Sequence, residues 1–299
     1  MDTFFIEYGI YLSEERKVSG NTLQSYLRDV RQFFEYIKEK KPVSKLCDID
    51  NAYINGYLFF LEAGGRSAAT CKRIISSLKC YFAFLVQNNH TKTNPVLEIH
   101  AAVPEKKLPE ILTNDEVERL LDQPDSSTIK GCRDKAILEL LYATGVKVSE
   151  VVAVNTDDID LENGILRCRS GKKERLIPLY PKVITALANY TDLYIGDVEQ
   201  DELGIPLFVN MNTKRLTRQG IWKIIKYYAD SAGICKDITP QTLRHSFATH
   251  LMKNGAKLKD VQQMLGHSDI SSTQIYLRLA DDHFREVCLN CHPRARQEN

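Results

Sequence analysis

The chain has 299 residues, 43% of them hydrophobic and 26% charged, enough to bury a full core and to form two domains of ordinary size. Its 40 Lys and Arg stand against 39 Asp and Glu, a formal net charge of +1, which excludes a globally basic nucleic-acid binder and leaves uneven placement as the only source of a basic surface. No uncharged apolar run approaches the roughly 18 residues of a membrane span, and Met1 to Glu7 offers no basic n-region or long apolar h-region, so the expectation is a cytoplasmic chain with no membrane partner.

Helical periodicity opens the chain. Apolar residues recur at helical spacing in Phe4-Phe5-Tyr8-Leu12, in Leu23-Tyr26-Leu27-Val30-Phe33-Phe34-Ile37, in Ile54-Tyr57-Leu58-Leu61 and in Ile74-Ile75-Leu78-Phe82-Leu85. This predicts a domain of four or five helices. Between Glu62 and Glu98 the sequence holds Arg66, Lys72, Arg73, Lys79 and Lys92 and no acid, a local +5. Such a face either lies against DNA phosphates or is the solvated side of a bundle helix.

Ala101 to Pro109 contains two prolines and no period, which reads as an extended linker. Thr113 with Glu116 then forms a capping box at the start of a new helix, so the boundary falls near residue 106, dividing the chain into 1–106 and 107–299. The second block mixes helices with short strands. Gly164 to Arg169 and Glu174 to Leu179 are strand candidates around a hairpin turn at Ser170-Gly171-Lys172-Lys173. Helices are expected at about 181–194, 217–232, 240–254, 258–265 and 271–277, with Thr239-Pro240 starting the third and Gly255 and Gly266 acting as stops. Two more basic clusters lie here: Arg167, Arg169, Lys172, Lys173 and Arg175 at the hairpin, and Lys214, Arg215, Arg218, Lys223 and Lys226 around a cap at Thr217.

Eight scattered cysteines read as reduced, buried thiols. Cys288-Leu289-Asn290-Cys291-His292 has the spacing of a c-type haem attachment, but haem needs an exported chain, and zinc would need a second paired set, so no metal is expected.

The chemistry is carried by Arg244, His267 and Tyr276, 23 and then 9 residues apart, each beside a helix start or stop signal. An arginine fork can hold two phosphate oxygens, a histidine can donate to the same group, and a tyrosine oxygen can be the nucleophile. Taken singly, each has a plainer reading: Arg244 paired with a carboxylate, His267 capping a helix, Tyr276 packing. Taken together, Leu243-Arg244-His245-Ser246-Phe247-Ala248-Thr249-His250-Leu251, Leu265-Gly266-His267-Ser268 and Ser272-Thr273-Gln274-Ile275-Tyr276 resemble the tyrosine recombinases, most closely the Xer type. Leu140 to Gly145 with Val148-Ser149-Glu150, Lys173 to Leu179, and His292-Pro293-Arg294-Ala295 extend the resemblance over nearly the whole chain.

The resemblance implies a mainly α protein: an N-terminal SAM-like helical core-binding domain and an α+β C-terminal catalytic domain that close on DNA as a C-shaped clamp. It implies attack by Tyr276 on a scissile phosphate, a 3′-phosphotyrosyl intermediate, and strand exchange within a tetramer of like or mixed protomers on paired duplex sites, with no cofactor. Such enzymes serve chromosome dimer resolution or mobile-element integration and excision. It also implies that the last helix, here Ala280 to Asn290, docks into a neighbour, although its apolar stripe equally suits folding back on its own domain.

Three positions depart from the family pattern. Lys147 stands where the family has arginine, keeping charge but losing the fork. Gln241 stands where it has histidine, so a proton-exchanging group becomes an amide. In ungapped register the general-acid lysine becomes Ser170, and Lys172 fills that role if the turn shifts. The expected catalytic set is therefore Tyr276, Arg244, His267, Lys147, Gln241 and Lys172, and the expected DNA contacts are Lys72, Arg73, Lys79, Arg169, Lys173, Arg175, Arg215 and Arg218. Two functions stay open: an active recombinase with an atypical site, or a DNA-binding partner of an active one that has lost efficient chemistry.

Overall fold

The computed structural model describes residues 2–40, 42–43, 45–99, 109–170, 173–193, 198, 200–267 and 269–276, with Asp2, Thr3, Ser170, Lys173 and Ser271 described by backbone alone. Lys172, most of the 101–109 linker, the Ala280 to Asn290 stripe, the Cys288/Cys291/His292 cluster and the terminal His292-Pro293 motif lie outside the described residues. The chain divides into two compact units, Met1–Lys106 and Lys107–Asn299.

The first unit is built from α1 (Asp2–Ile10), α2 (Gly20–Lys40), α3 (Asn51–Ala63) and α4 (Ala68–Gln87), with a π-helical turn at Tyr11–Glu15 and a 3-10 turn at Leu46–Asp48. Short polar side chains set the starts: Asp50 accepts from Ala52 and Tyr53 N–H at α3, and Ser67 accepts from Thr70 N–H at α4. The periodic stripe on α2 buries Val30, Phe33 and Ile37, while α4 buries one face through Ile74, Leu78, Phe82 and Leu85 and a second through Ser77, Cys80 and Phe84. Aromatic rings fill the centre, with Phe33 edge-on to Tyr57 at 5.2 Å and Tyr8 edge-on to Tyr81 at 5.0 Å.

The second unit begins with α5 (Asn114–Leu121), capped by Thr113 and Glu116 reciprocally, then α6 (Ile129–Thr144) and α7 (Val148–Ala153). A three-stranded antiparallel sheet follows: β1 (Ile159–Asp160), β2 (Ile165–Ser170) and β3 (Lys173–Pro178), in that order. Ser170 pairs directly with Lys173, and Leu166 opposes Ile177. Alternation puts Leu166, Cys168 and Ile177 into the core and Arg167 and Arg169 outside. Then come α8 (Pro181–Leu193), α9 (Arg218–Ser231), α10 (Pro240–Lys253) and α11 (Leu258–Leu265), with a 3-10 turn at Ile270–Ser272. The central element is α6, against which α8 and α10 pack. It is buried nearly all round, from Ala136 to Thr144.

Among the described cysteines, Cys71, Cys80, Cys132 and Cys168 are buried, whereas Cys47 and Cys235 are exposed, against the expectation of burial throughout. No helix of the described residues is long and apolar enough to cross a membrane.

Candidate active site

The start of α10 fixes the arginine. Thr239 accepts from Thr242 N–H at 3.2 Å and Pro240 occupies the first helical position, so Arg244 falls one turn into the helix. Its side chain is buried, with 2% of the residue exposed, and donates to Gly145 O at 2.6 Å and Leu265 O at 2.7 Å. These carbonyls sit at the ends of α6 and α11, where helix carbonyls lack intrahelical partners and the dipole is negative. Gly145 ends α6 at φ 57°, and a Cβ there would come within 2.3 Å of the Phe247 ring, so both conformation and space demand glycine. No carboxylate among the described residues pairs with Arg244. The plain reading of a structural ion pair therefore fails, and burial, which presses on the guanidinium pKa from above, is not relieved by a salt bridge.

The histidine is placed by the end of α11. Gly266 adopts φ 64°, its N–H donates to Gln263 O and His267 N–H donates to Gln262 O, the paired bonds of a Schellman stop. His267 then turns back so that Nδ1 lies 2.9 Å from the buried Thr273 hydroxyl. Burial, followed by the charges of Arg244 and Lys147, holds its pKa down at about 4. An imidazole so placed is neutral near pH 7, and an arriving anion is what would charge it.

Tyr276 is buried, and its oxygen lies 3.0 Å from Nδ1 of His245, with the rings tilted at 5.5 Å. Burial raises the phenol pKa, and the Arg244 guanidinium opposes that rise without cancelling it. Three of the predicted groups are thus brought together: Arg244 acts electrostatically on both His267 and Tyr276. His245 is a fourth that sequence reasoning missed. It stands beside Arg244 in the motif, but nothing in its spacing signals contact with a side chain 31 positions away.

Lys147 caps α7 by donating its backbone N–H to Glu150 Oε2 at 2.8 Å, and its exposed side chain is close enough to act on His267. Gln241 is exposed in the first turn of α10, three and four residues before Arg244 and His245 and so on their side of the helix. Behind them, Arg175 of β3 clasps Glu150 with two bonds of 2.9 and 2.8 Å and donates Nε to Met264 O at 2.9 Å. That one guanidinium ties the hairpin, α7 and the end of α11. Burial pushes the Glu150 carboxyl up, but bonds from Arg175 and Lys147 N–H outweigh it and hold the group below the ordinary carboxylate range. The neighbouring Cys168 thiol, buried and beside Glu150, is pushed up to about 12.

The predicted DNA contacts separate by what already occupies them. Arg73 pairs with the buried Asp29, which also accepts from Ser77 at 2.7 Å, so Arg73 serves the first unit's interior. Arg215 is enclosed by Asp201, Asn155 Oδ1 and the carbonyls of Val152, Val154 and Gly204. Its donors are thus engaged within the unit, which favours a structural role, and the donors of Arg175 are likewise engaged by Glu150 and Met264 O. Arg169 is exposed but leans on Asp158 at 3.1 Å and Glu174 at 3.6 Å. Lys72 and Arg218 are exposed, the latter at the first position of α9, and Lys79 is half-buried; none of the three is in an ion pair among the described residues. The Lys173 side chain lies outside the described residues.

A helical unit is followed by an α+β unit that gathers a buried arginine, a neutral histidine and a protonated tyrosine, a set whose chemistry suits attack on a phosphodiester by a tyrosine oxygen. Residues 110–283 match the phage integrase family, and residues 5–89 match the phage integrase N-terminal SAM-like domain; the chain belongs to this family. It is 42% identical over 301 residues to the tyrosine recombinase XerD of Oceanobacillus iheyensis, spanning 97% of this chain and all of that one. The tyrosine recombinase XerD of Staphylococcus epidermidis is 40% identical over 296 residues, 99% of this chain and all of the relative. Among solved structures, the XerA recombinase aligns at 30% identity and a TM-score of 0.55 over 97% of this chain and 99% of its own. XerH recombinase in a post-cleavage complex with a palindromic difH substrate shares the fold at a TM-score of 0.76 and 24% identity, covering 92% of this chain and 81% of that one.

Proposed function

We propose that this protein is a site-specific DNA recombinase in which Tyr276 attacks a scissile phosphate, expels a 5′-hydroxyl and holds the 3′ end as a phosphotyrosyl ester until religation. The observation that carries the reading is Arg244: a buried guanidinium bonded to two main-chain carbonyls and set against the Tyr276 oxygen, with no carboxylate partner among the described residues, is stabilised most by an incoming anion. Negative charge gathering on the non-bridging oxygens in the transition state meets a fixed cation there, and a favourable interaction that grows along the reaction lowers the barrier. The XerD relatives, matched along their full length, support the same activity.

In this reading His267 donates to a second phosphate oxygen, Lys147 supplies charge without a fork, Gln241 donates a hydrogen bond, and Lys172 is the candidate acid for the leaving oxygen. Replacing a forked donor by a point charge costs roughly ten- to a thousandfold by comparison with losing one oxyanion donor. The unit 1–106 is proposed to bind the core of the DNA site through the face bearing Lys72 and Lys79, and the unit 107–299 to add Arg218 and the hairpin cations Arg169 and Lys173. The working assembly is proposed as a tetramer of recombinase protomers on two duplex sites.

The test is covalent trapping on a nicked suicide duplex built from the sequence that this protein selects out of a randomised duplex pool. A protein–DNA adduct that disappears in Tyr276→Phe is expected. Adduct formation that survives Tyr276→Phe, or its complete absence from the unmodified protein while binding persists, would overturn the recombinase reading.

A further inference from the structure

We propose that His245 is the general base for Tyr276, its Nδ1, 3.0 Å from the tyrosine oxygen, taking the phenolic proton as that oxygen attacks phosphorus. The inference rests on the recombinase reading above and names a group for the step that this site's departures leave unserved. A buried phenol is protonated at neutral pH, and its oxygen is a poor nucleophile until the proton has somewhere to go.

The other groups around that oxygen are unsuited to the task. Arg244 lies against it but has only donors, and in the reactive tautomer of His245 the proton sits on Nε2 and the Nδ1 lone pair accepts the hydroxyl hydrogen. Lys147 is a cation, and Gln241 is an amide that exchanges no proton. His267 has its Nδ1 engaged by Thr273 at 2.9 Å. The charged and titratable groups that face His245 are Arg244 on its own helix and, from the C-terminal segments, His267 and Tyr276. Burial first, and then Arg244, lower the His245 pKa, so the ring is neutral at working pH.

In the proposed step the Tyr276 O–H bond breaks and an Nδ1–H bond forms, while the oxygen–phosphorus bond forms and the phosphorus–O5′ bond breaks. The departing O5′ takes its proton from a donor other than His245, so the two proton transfers are separable. On religation the imidazolium returns its proton to the tyrosine oxygen as that oxygen leaves phosphorus. A histidine one position beyond the arginine thereby does what an amide at 241 does not.

The experiment measures single-turnover adduct formation on the nicked selected duplex, with an ordinary scissile phosphate and with a bridging 5′-phosphorothiolate, whose sulfur leaves without an acid. His245→Ala should be slower by about a hundredfold on both substrates, the usual lower scale of general-base loss. His245→Asn, which keeps a hydrogen-bonding group but takes up no proton, should be as slow, and added imidazole should restore part of the rate to His245→Ala. The unmodified rate should fall as pH drops below the ordinary imidazole value of about 6.5, in one ionisation that His245→Asn lacks. Single-site DNA binding by both variants is measured alongside. A His245→Asn enzyme at the unmodified rate, or a deficit that vanishes on the phosphorothiolate, would overturn the role and leave the recombinase reading standing. No Tyr276-dependent adduct from the unmodified protein would overturn both.

Discussion

Glu150→Gln isolates the joint between the hairpin, α7 and α11. Glu150 is almost fully buried and receives two bonds from Arg175 and one from Lys147 N–H. Glutamine fills the same volume, but its single acceptor oxygen can keep only part of this set, and its NH2 faces a guanidinium N–H. Removing one partner of a buried pair costs about 3–5 kcal/mol, and the retained oxygen, together with the Arg175 bond to Met264 O, places the expectation at about 3 kcal/mol. For a unit of this size that is a drop of about 6–12 °C in Tm. Trp222, the only tryptophan, lies in α9, so its fluorescence reports unfolding of the second unit alone. Adding Arg175→Met to Glu150→Gln should recover part of the loss, since the orphaned cation goes with its partner. An unmoved Trp222 transition in the single variant, or strict additivity in the double, would refute the argument that this pair joins the three elements.

Arg215→Ala should leave the Asn155 amide oxygen and three carbonyls without their donor, lowering the stability of the second unit by about 3 kcal/mol, whereas DNA affinity keeps its salt slope. A shallower slope of log affinity against log salt would return Arg215 to the interface. Stability should also depend on pH through His267: its pKa is about 4 folded and about 6.5 unfolded, so between these values the unfolded chain holds the extra proton. The contribution is complete above about pH 6.5 and is lost as pH falls towards 4, by about 1–2 kcal/mol once solvent screening of a partly exposed ring is discounted. Urea midpoints of the unmodified protein and His267→Gln between pH 4 and 7 check this, and parallel pH profiles would contradict it.

Elements with one dry face were legible in the sequence. The stripe on α2, the capping box at Thr113 and the stop at Gly266 follow from local rules that the tertiary structure leaves in force. What escaped was set by non-local contacts. Buried nearly all round, α6 shows no periodicity that would separate it from other apolar runs. Two residues make up β1, which exists because β2 offers it an edge. Charge counting identified the basic clusters but not their partners: Asp29 is 44 positions from Arg73, and Glu150 is 25 from Arg175. The same distance effect hid His245, whereas Arg244, His267 and Tyr276 stood out through the joint motifs that resemble the tyrosine recombinases.

Two of the groups that hold Arg244 are main-chain oxygens, and a main-chain oxygen is the one kind of partner that no single substitution can delete. Lys147 and Gln241, the departures from the family pattern whose side chains are described, are both exposed at the rim, where nothing in the interior answers to their identity. Arg244 and Tyr276 lie in the packed interior, where a change would be felt by the fold before it was felt by the reaction. The site is thus divided into a part whose drift leaves the fold intact and a part tied to the existence of the domain itself. A chain of this design can lose catalytic rate by degrees while keeping the arginine and tyrosine from which that rate could be regained.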